Sequence, residues 1–319
     1  MNSYVIIPDT SCDLTADLRV RFDIPDYLRG VITYPDGHSE RINLDWENIT
    51  PTEFYESMKD KKSLYKTGAV NPDEARETFE KYLSQGQDIL SISLSSALSS
   101  TYNVCLQAAK QALEKYPERK IICIDSLRYS TALALLVILA GEKKKEGLSL
   151  EENAKWVEEH KHCIHQMGPM DDLFFLCRTG RISNFKAFFG SLIGVNPMAD
   201  FNRNGMSEVL IKCKGKQVAF DTTIKYMKEV GVDLSNQLMF IAHSNRAQQA
   251  LRLAELVKEN FNPKEIIITD VGMACGSSIG PGLCAVYFVG EPISENCEKE
   301  KAIMKALDEQ IKGKNNKGV

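Results

Sequence analysis

The chain has no P-loop spacing, no GxGxxG and no HExxH. Nucleotide hydrolysis and dinucleotide chemistry therefore lack their usual supports. A basic excess is missing as well. With 39 Lys and Arg against 43 Asp and Glu, the net charge of −4 leaves nothing to neutralise phosphates generally, which argues against nucleic acid and leaves room only for a local basic patch. The nine cysteines are odd in number and never spaced CxxC. Met1 to Leu14 shows no charged start followed by an apolar stretch. Together these features predict a cytoplasmic, reducing environment. Cys123 and Cys177 lie in apolar, strand-like runs and read as core residues. The longest apolar run, Thr131 to Gly141, is too short to span a bilayer and predicts a buried helix. There is no internal repeat.

What is present is an alternation of short apolar strands and helices. At 319 residues the chain suits two domains. Tyr4-Val5-Ile6-Ile7 reads as a strand, and Gly30 to Thr33 with Ser39 to Leu44 flank the turn Tyr34-Pro35-Asp36-Gly37 as a hairpin. Thr50-Pro51-Thr52-Glu53 has the form of a capping box, and Asn71-Pro72-Asp73-Glu74 repeats the device. Lys120 to Ile124 reads as a strand, followed by a helix from Tyr129 to Lys145 that ends in three lysines suited to the helix dipole. The alternation predicts an α/β fold, with a mostly parallel sheet and flanking helices over residues 1–150. Residues 151–312 read as a C-terminal α+β domain. Its strands are expected at Asp172 to Cys177, Val209 to Lys212, Leu238 to His243, Glu265 to Thr269 and Ala285 to Val289. Its helices are expected at Phe220 to Val230 and Arg246 to Asn260. Residues 313–319 read as a flexible tail.

Hydroxyls concentrate in Ser93-Leu94-Ser95-Ser96-Ala97-Leu98-Ser99-Ser100-Thr101. A strand-like run, Ile89 to Ile92, enters this segment, and Tyr102, Leu106, Ala109 and Leu113 leave it at helical spacing. A turn of this kind exposes unpaired N–H groups and the positive end of a helix dipole, which suits a carboxylate or phosphate. It equally suits Ser99 or Ser100 acting as a plain cap. In a parallel sheet all strand-to-helix turns lie at one edge. Thr10-Ser11, Thr67-Gly68, Ser95 to Thr101 and Asp125-Ser126 read as four such turns, which together would make a polar pocket lined by Ser and Thr.

Other segments carry chemistry in principle. His160-Lys161-His162-Cys163-Ile164-His165 lacks a second cluster to complete a tetrahedral site, so it reads as a polar helix face and no metal is expected. Arg178-Thr179-Gly180-Arg181 offers two guanidinium forks for a carboxylate, a phosphate, an acidic partner or surface ion pairs. Gly276-Ser277-Ser278-Ile279-Gly280-Pro281-Gly282 is either a close backbone approach to a ligand or a plain turn. Phe185, Phe188, Phe189, Leu192 and Ile193 form an apolar stripe that suits a core, or the wall of a tunnel for an alkyl chain. Each methylene buried there would contribute about 0.8 kcal/mol.

Asp9-Thr10-Ser11-Cys12-Asp13-Leu14, Ser95 to Tyr102, Ile124-Asp125-Ser126, Gly180-Arg181-Ile182-Ser183 and Ser278-Ile279-Gly280-Pro281-Gly282 resemble, in order and spacing, the successive motifs of the DegV family of bacterial fatty-acid-binding proteins. The resemblance runs from Tyr4 to Val289. It implies two α/β domains with a long-chain fatty acid between them, the alkyl chain in a buried tunnel, and no cofactor or catalytic residue. It implies that Thr67 and Ser99 hold the carboxylate, with Ser96 and Ser278 beside them, and that Arg181 lies near the head group and a partner surface. It also implies the role of a carrier that presents the acyl carboxylate to an ATP-binding fatty acid kinase subunit, with transient contact to a membrane surface. The family usually has a His where Ser278 stands and a Gly where Ser100 and Thr179 stand. It often has Thr-Ser-Gln-Pro where this chain has Thr67-Gly68-Ala69-Val70. Two other readings compete. One is a hydrolase or transferase using a serine of 95–101 with His243 as base; the other is an interaction or sensor protein whose lipid is structural.

Overall fold

The computed structural model describes residues 3–183 and 195–315, with side chains to residue 310. The chain divides into two compact units, Met1–Lys161 with Asp270–Ser278, and His162–Thr269 with Ile279–Val319.

The first unit holds β1 (Tyr4–Pro8), β2 (Val31–Thr33), β3 (Ser39–Arg41), β4 (Lys66–Gly68), β5 (Asp88–Ser93) and β6 (Ile121–Asp125). Its helices are α1 (Ala16–Phe22), α2 (Pro51–Ser57), α3 (Pro72–Ser84), α4 (Thr101–Lys115), α5 (Thr131–Lys145) and α6 (Leu150–His160). Strands β1, β5 and β6 form a parallel sheet in the order β1-β5-β6, with Ile6 opposite Leu90 and Ile92 opposite Ile124. Every residue of β1 and β5 is buried, the apolar run Tyr4 to Ile7 as well as Asp88, Ser91 and Ser93 among the isoleucines and leucine of β5. Val5, Ile7 and Ile89 join Phe79 and Leu83 of α3 and Ala108 and Ala112 of α4 in one core. The alternate residues Ile6 and Leu90 point to the opposite face and are also buried, and α5 and α6 pack on the sheet too. Helix α5 is buried through Ala132 to Ile138, as its apolar run predicted. The capping box at Thr50 and the Asn71 cap both form, and a further capping box at Ser149 opens α6.

The second unit holds β7 (Ile164–Met167), β8 (Val195–Phe201), β9 (Ser207–Lys214), β10 (Leu238–His243), β11 (Glu265–Asp270) and β12 (Cys284–Val289). Helices α7 (Phe174–Thr179), α8 (Lys216–Val230), α9 (Ala247–Phe261) and α11 (Glu298–Asn315) accompany them, and α10 (Met273–Ile279) carries most of the segment 270–278. The main sheet runs β11-β10-β12-β7, with β12 antiparallel to both neighbours, and β8 and β9 form a separate antiparallel pair. Met167, Ile241, Val286 and Phe288 of the sheet pack with Met227 of α8 and with Leu253 and Val257 of α9. A mixed α/β fold with a parallel sheet in its first half is what the sequence predicts.

Four readings change. Asp172 to Cys177 is not a strand: the Asp172 carboxylate accepts the Phe174 N–H at 2.9 Å and α7 begins there. A short apolar run without alternation fits either element, and only packing decides. The His160 to His165 segment is not one helix face. Helix α6 ends at His160, and His165 lies in β7 with no exposed surface. Thr67 and Gly68 are not a turn of the parallel sheet but part of β4, which pairs with β2 in the small antiparallel sheet β3-β2-β4. The last helix continues to Asn315, past Lys312. The contact-defined units also differ from a cut at residue 150, because α6 and residues 270–278 both belong to the first. Among the described residues, no helix is long and apolar enough to cross a membrane.

Candidate functional site

The turns after β1, β5 and β6 lie at the carboxyl edge of the parallel sheet, where α/β proteins bind ligands. A buried carboxylate ties the first two together. Asp9 accepts the Ser11 N–H at 2.8 Å and the Leu94 N–H at 2.7 Å. Burial pushes its carboxyl above the ordinary range, and those two N–H groups pull it back. Asp125 ties the second and third: its Oδ1 accepts the N–H groups of Ser96 and Leu127, each at 3.1 Å. The Ser95 N–H reaches the Arg128 carbonyl at 2.9 Å.

Asp13 lies deeper. Its Oδ2 accepts hydrogen bonds from the Ser130 hydroxyl and, at 3.3 Å, from the Thr131 hydroxyl, both at the start of α5. Gly272 lies against the other oxygen so closely that a Cβ there would stand 2.6 Å away. Burial raises the Asp13 carboxyl to about 7, against the pull of these donors and with a smaller push from Asp9. Ser130 has φ 56° and ψ −145°. L residues rarely adopt this conformation, which costs about 1–3 kcal/mol, and the Asp13 bond helps to hold it. Burial and the nearby Asp13 charge raise the Cys275 thiol well above its ordinary value. That thiol points to the Ser11 carbonyl at 3.8 Å.

Within this frame the residues chosen from sequence take up distinct places. Ser99 accepts the Thr101 N–H at 3.2 Å and shares a 3.0 Å bond with the Thr101 hydroxyl. It therefore caps α4, while Ser100 stands at the cap position without a side-chain bond. When the Thr101 hydroxyl donates to it, the Ser99 O–H remains to donate to an anion. Ser96 is exposed, and its N–H is the one held by Asp125. Thr67 is exposed in β4. The site nevertheless adjoins Thr10. The Gly30 N–H donates to the Thr10 hydroxyl at 3.2 Å, and a Cβ at Gly30 would stand 3.0 Å from the Gly68 carbonyl oxygen. Ser278 is half-buried on α10, the helix that brings Cys275 to Ser11. Thr67, Ser96, Ser99 and Ser278 thus sit on elements that each touch the 9–13 turn or its direct partners. The sequence missed Asp9, Asp13 and Ser130 as parts of this edge, and it read Gly276 to Gly282 as a loop, where α10 runs to Ile279. The one available signal was the pair of acids bracketing Thr10-Ser11-Cys12, together with the small residues around Gly272.

Arg181 belongs to the second unit. Gly180, with φ 68°, ends α7 there, the Arg181 N–H closes the cap onto Leu176 at 3.0 Å, and its exposed guanidinium donates to the Thr179 carbonyl. Phe185, Phe188, Phe189, Leu192 and Ile193 lie outside the described residues. The Ser95 hydroxyl accepts the Ala97 N–H, the Ser99 hydroxyl accepts the Thr101 N–H, and in the second unit His243 Nδ1 accepts the Arg246 N–H at 3.5 Å. Gly276-Ser277-Ser278-Ile279-Gly280 does carry the G-x-S-x-G spacing of a nucleophile elbow. The elbow places its serine on a sharp strand-to-helix turn, whereas Ser278 stands near the end of α10. Among the described residues, no group of three or more His, Cys, Asp or Glu side chains could hold a metal ion.

The second unit holds a buried polar cluster that the sequence also hid. His165 Nδ1 and the Tyr226 hydroxyl meet Asp200 Oδ2 at 2.6 and 2.7 Å, and His165 Nε2 meets the Glu291 carbonyl at 2.8 Å. Asp200 Oδ1 takes the N–H groups of Gln166 and Phe201. Both imidazole nitrogens are thus engaged, Nδ1 with Asp200 and, at 3.4 Å, the Tyr226 hydroxyl, and Nε2 with the Glu291 carbonyl.

The sequence model of the DegV family, described as "Uncharacterised protein, DegV family", matches residues 3–291. A DegV domain-containing protein of Clostridium perfringens is 36% identical over 291 residues, 91% of this chain and 99% of the relative. Among solved structures, a DegV family protein of Thermus thermophilus described by its fatty acid binding superposes with a TM-score of 0.79 at 23% identity, covering 91% of this chain and 100% of that one. The Fatty Acid Kinase (Fak) B3 protein of Streptococcus pneumoniae, loaded with linoleic acid, superposes with a TM-score of 0.76 at 19% identity, with the same coverage.

Proposed function

We propose that this chain, which belongs to the DegV family, binds a long-chain fatty acid and presents its carboxylate to an ATP-binding kinase subunit, without catalysis of its own. The observation that carries the reading is the hydroxyl-rich carboxyl edge of the β1-β5-β6 sheet, where Ser99 stands at the positive end of the 15-residue helix α4. Thr67, Ser99 and Ser96 are the proposed carboxylate ligands, and Ser278 takes the place beside them. The fatty acids named for the Thermus and pneumococcal proteins support the ligand class, and the kinase named for the latter supports the partner. The absence of a P-loop from the sequence agrees with ATP being held by another subunit. Phe185, Phe188, Phe189, Leu192 and Ile193 are the proposed wall for the alkyl chain, and Arg181 the proposed contact near the partner.

The test is a titration of the delipidated protein with a fluorescent fatty acid. Ser99→Ala and Thr67→Val each remove a hydrogen bond to a charged group, worth roughly 1.5–3 kcal/mol, so each weakens binding at least about tenfold. Unchanged affinity in both variants would refute the assignment of the head-group site.

A further inference from the structure

Strand β11 is the outer strand of the second unit's main sheet, and none of its six residues is fully buried. Its sequence, Glu265-Ile266-Ile267-Ile268-Thr269-Asp270, contains neither the Pro nor the central Lys with which proteins blunt an exposed edge. Beside it, α9 and β11 bound an apolar groove of about 490 Å³ floored by Leu251, Ala254, Ile266 and Ile268. Leu251 is 50% exposed and Ile268 37%.

From this geometry we propose that β11 pairs, antiparallel and about a two-fold axis, with β11 of a second copy of this chain, joining two four-stranded sheets into one of eight strands. The ladder sets the register. The Glu265 N–H bonds inward to Gln237 of the neighbouring chain segment, so the backbone groups of Ile266 and Ile268 point outward. Outward residues must face outward residues across the axis. One such register places Ile266 opposite Ile268 of the second copy and Ile267 on the axis. The registers two residues away set Lys264 opposite Ile268, or Ile266 opposite Asp270, and so match charge with apolar surface. The groove rim carries two acids, Glu255 and Glu265, and two bases, Lys258 and Lys264. A surface balanced in this way is self-complementary, as a two-fold interface requires, and gives no advantage to a partner charged in one sense. A strand pair flanked by one helix stripe is a small interface, so the dissociation constant belongs on the order of micromolar.

The experiment is sedimentation velocity of the full chain from about 1 to about 100 μM, which brackets a micromolar constant. The wild type shifts from monomer to dimer across this range. Ile268→Lys, checked for folding by circular dichroism, weakens dimerisation at least tenfold. A wild type that stays monomeric throughout overturns the proposal. So does a dimer that Ile268→Lys leaves intact.

Discussion

Replacing Asp13 with Asn removes one proton-binding group from the interior of the first unit. The wild-type carboxyl has its ordinary value of 3.8 raised to about 7 by burial, so the native state holds the proton more tightly than the unfolded chain. The stability this contributes is fully present below about pH 4 and is lost as the pH rises from about 4 to about 7. Over that window the loss has a slope of about 1.4 kcal/mol per pH unit, so a shift of about three units removes about 4 kcal/mol. Above about pH 7 both states are ionised and the curve is flat. Asn keeps an oxygen for the Ser130 and Thr131 hydroxyls and does not titrate. The chain has two tryptophans, Trp46 and Trp156, both in the first unit. Urea unfolding followed by tryptophan fluorescence therefore reports that unit alone. The assay compares wild type and Asp13→Asn at each pH. The difference in unfolding free energy should shift steadily in favour of the variant from about pH 4 to about pH 7 and then level off. Parallel stability curves over this range would mean that the hydroxyl donors, and not burial, govern Asp13, and would refute the reasoning.

In the second unit, Asp200→Ala removes the buried side chain that His165, the Tyr226 hydroxyl and the Gln166 and Phe201 N–H groups all meet. Leaving buried polar groups unsatisfied costs roughly 1–3 kcal/mol each, read as a lowered urea midpoint by far-ultraviolet circular dichroism; an unchanged midpoint would contradict the role given to this cluster. Arg181→Glu should slow phosphorylation of the bound acid by a cognate kinase subunit at least about tenfold, measured at saturating fatty acid, through loss of complementary charge at the partner surface. Equal rates would remove Arg181 from that surface.

The parallel strands were legible in the sequence because each holds a short run of β-branched and other apolar residues, Val5-Ile6-Ile7, Ile89-Leu90 and Ile121-Ile122. Helix starts at Pro51 and Pro72 were legible because a cap is a local device, complete within four residues. What stayed hidden was long-range. Asp13 meets Ser130 across 117 positions, and Cys275 meets Ser11 across 264. No local pattern encodes either contact. His165 looked like one of several histidines on a polar face, and only the fold reveals Asp200 beside it. The motif around Ser99 was found as a crowd of hydroxyls, and the structure divides that crowd into a cap at Ser99, a buried turn at Ser95 and an exposed hydroxyl at Ser96. Thr67 was read into the wrong sheet because three residues of β4 carry no periodicity of their own.

The most direct test of fatty-acid binding is mass spectrometry of the small molecules released when natively purified protein is denatured. The account predicts one long-chain fatty acid per chain, and its loss from the Ser99→Ala with Thr67→Val double variant. A protein that emerges empty and takes up no added fatty acid would contradict it.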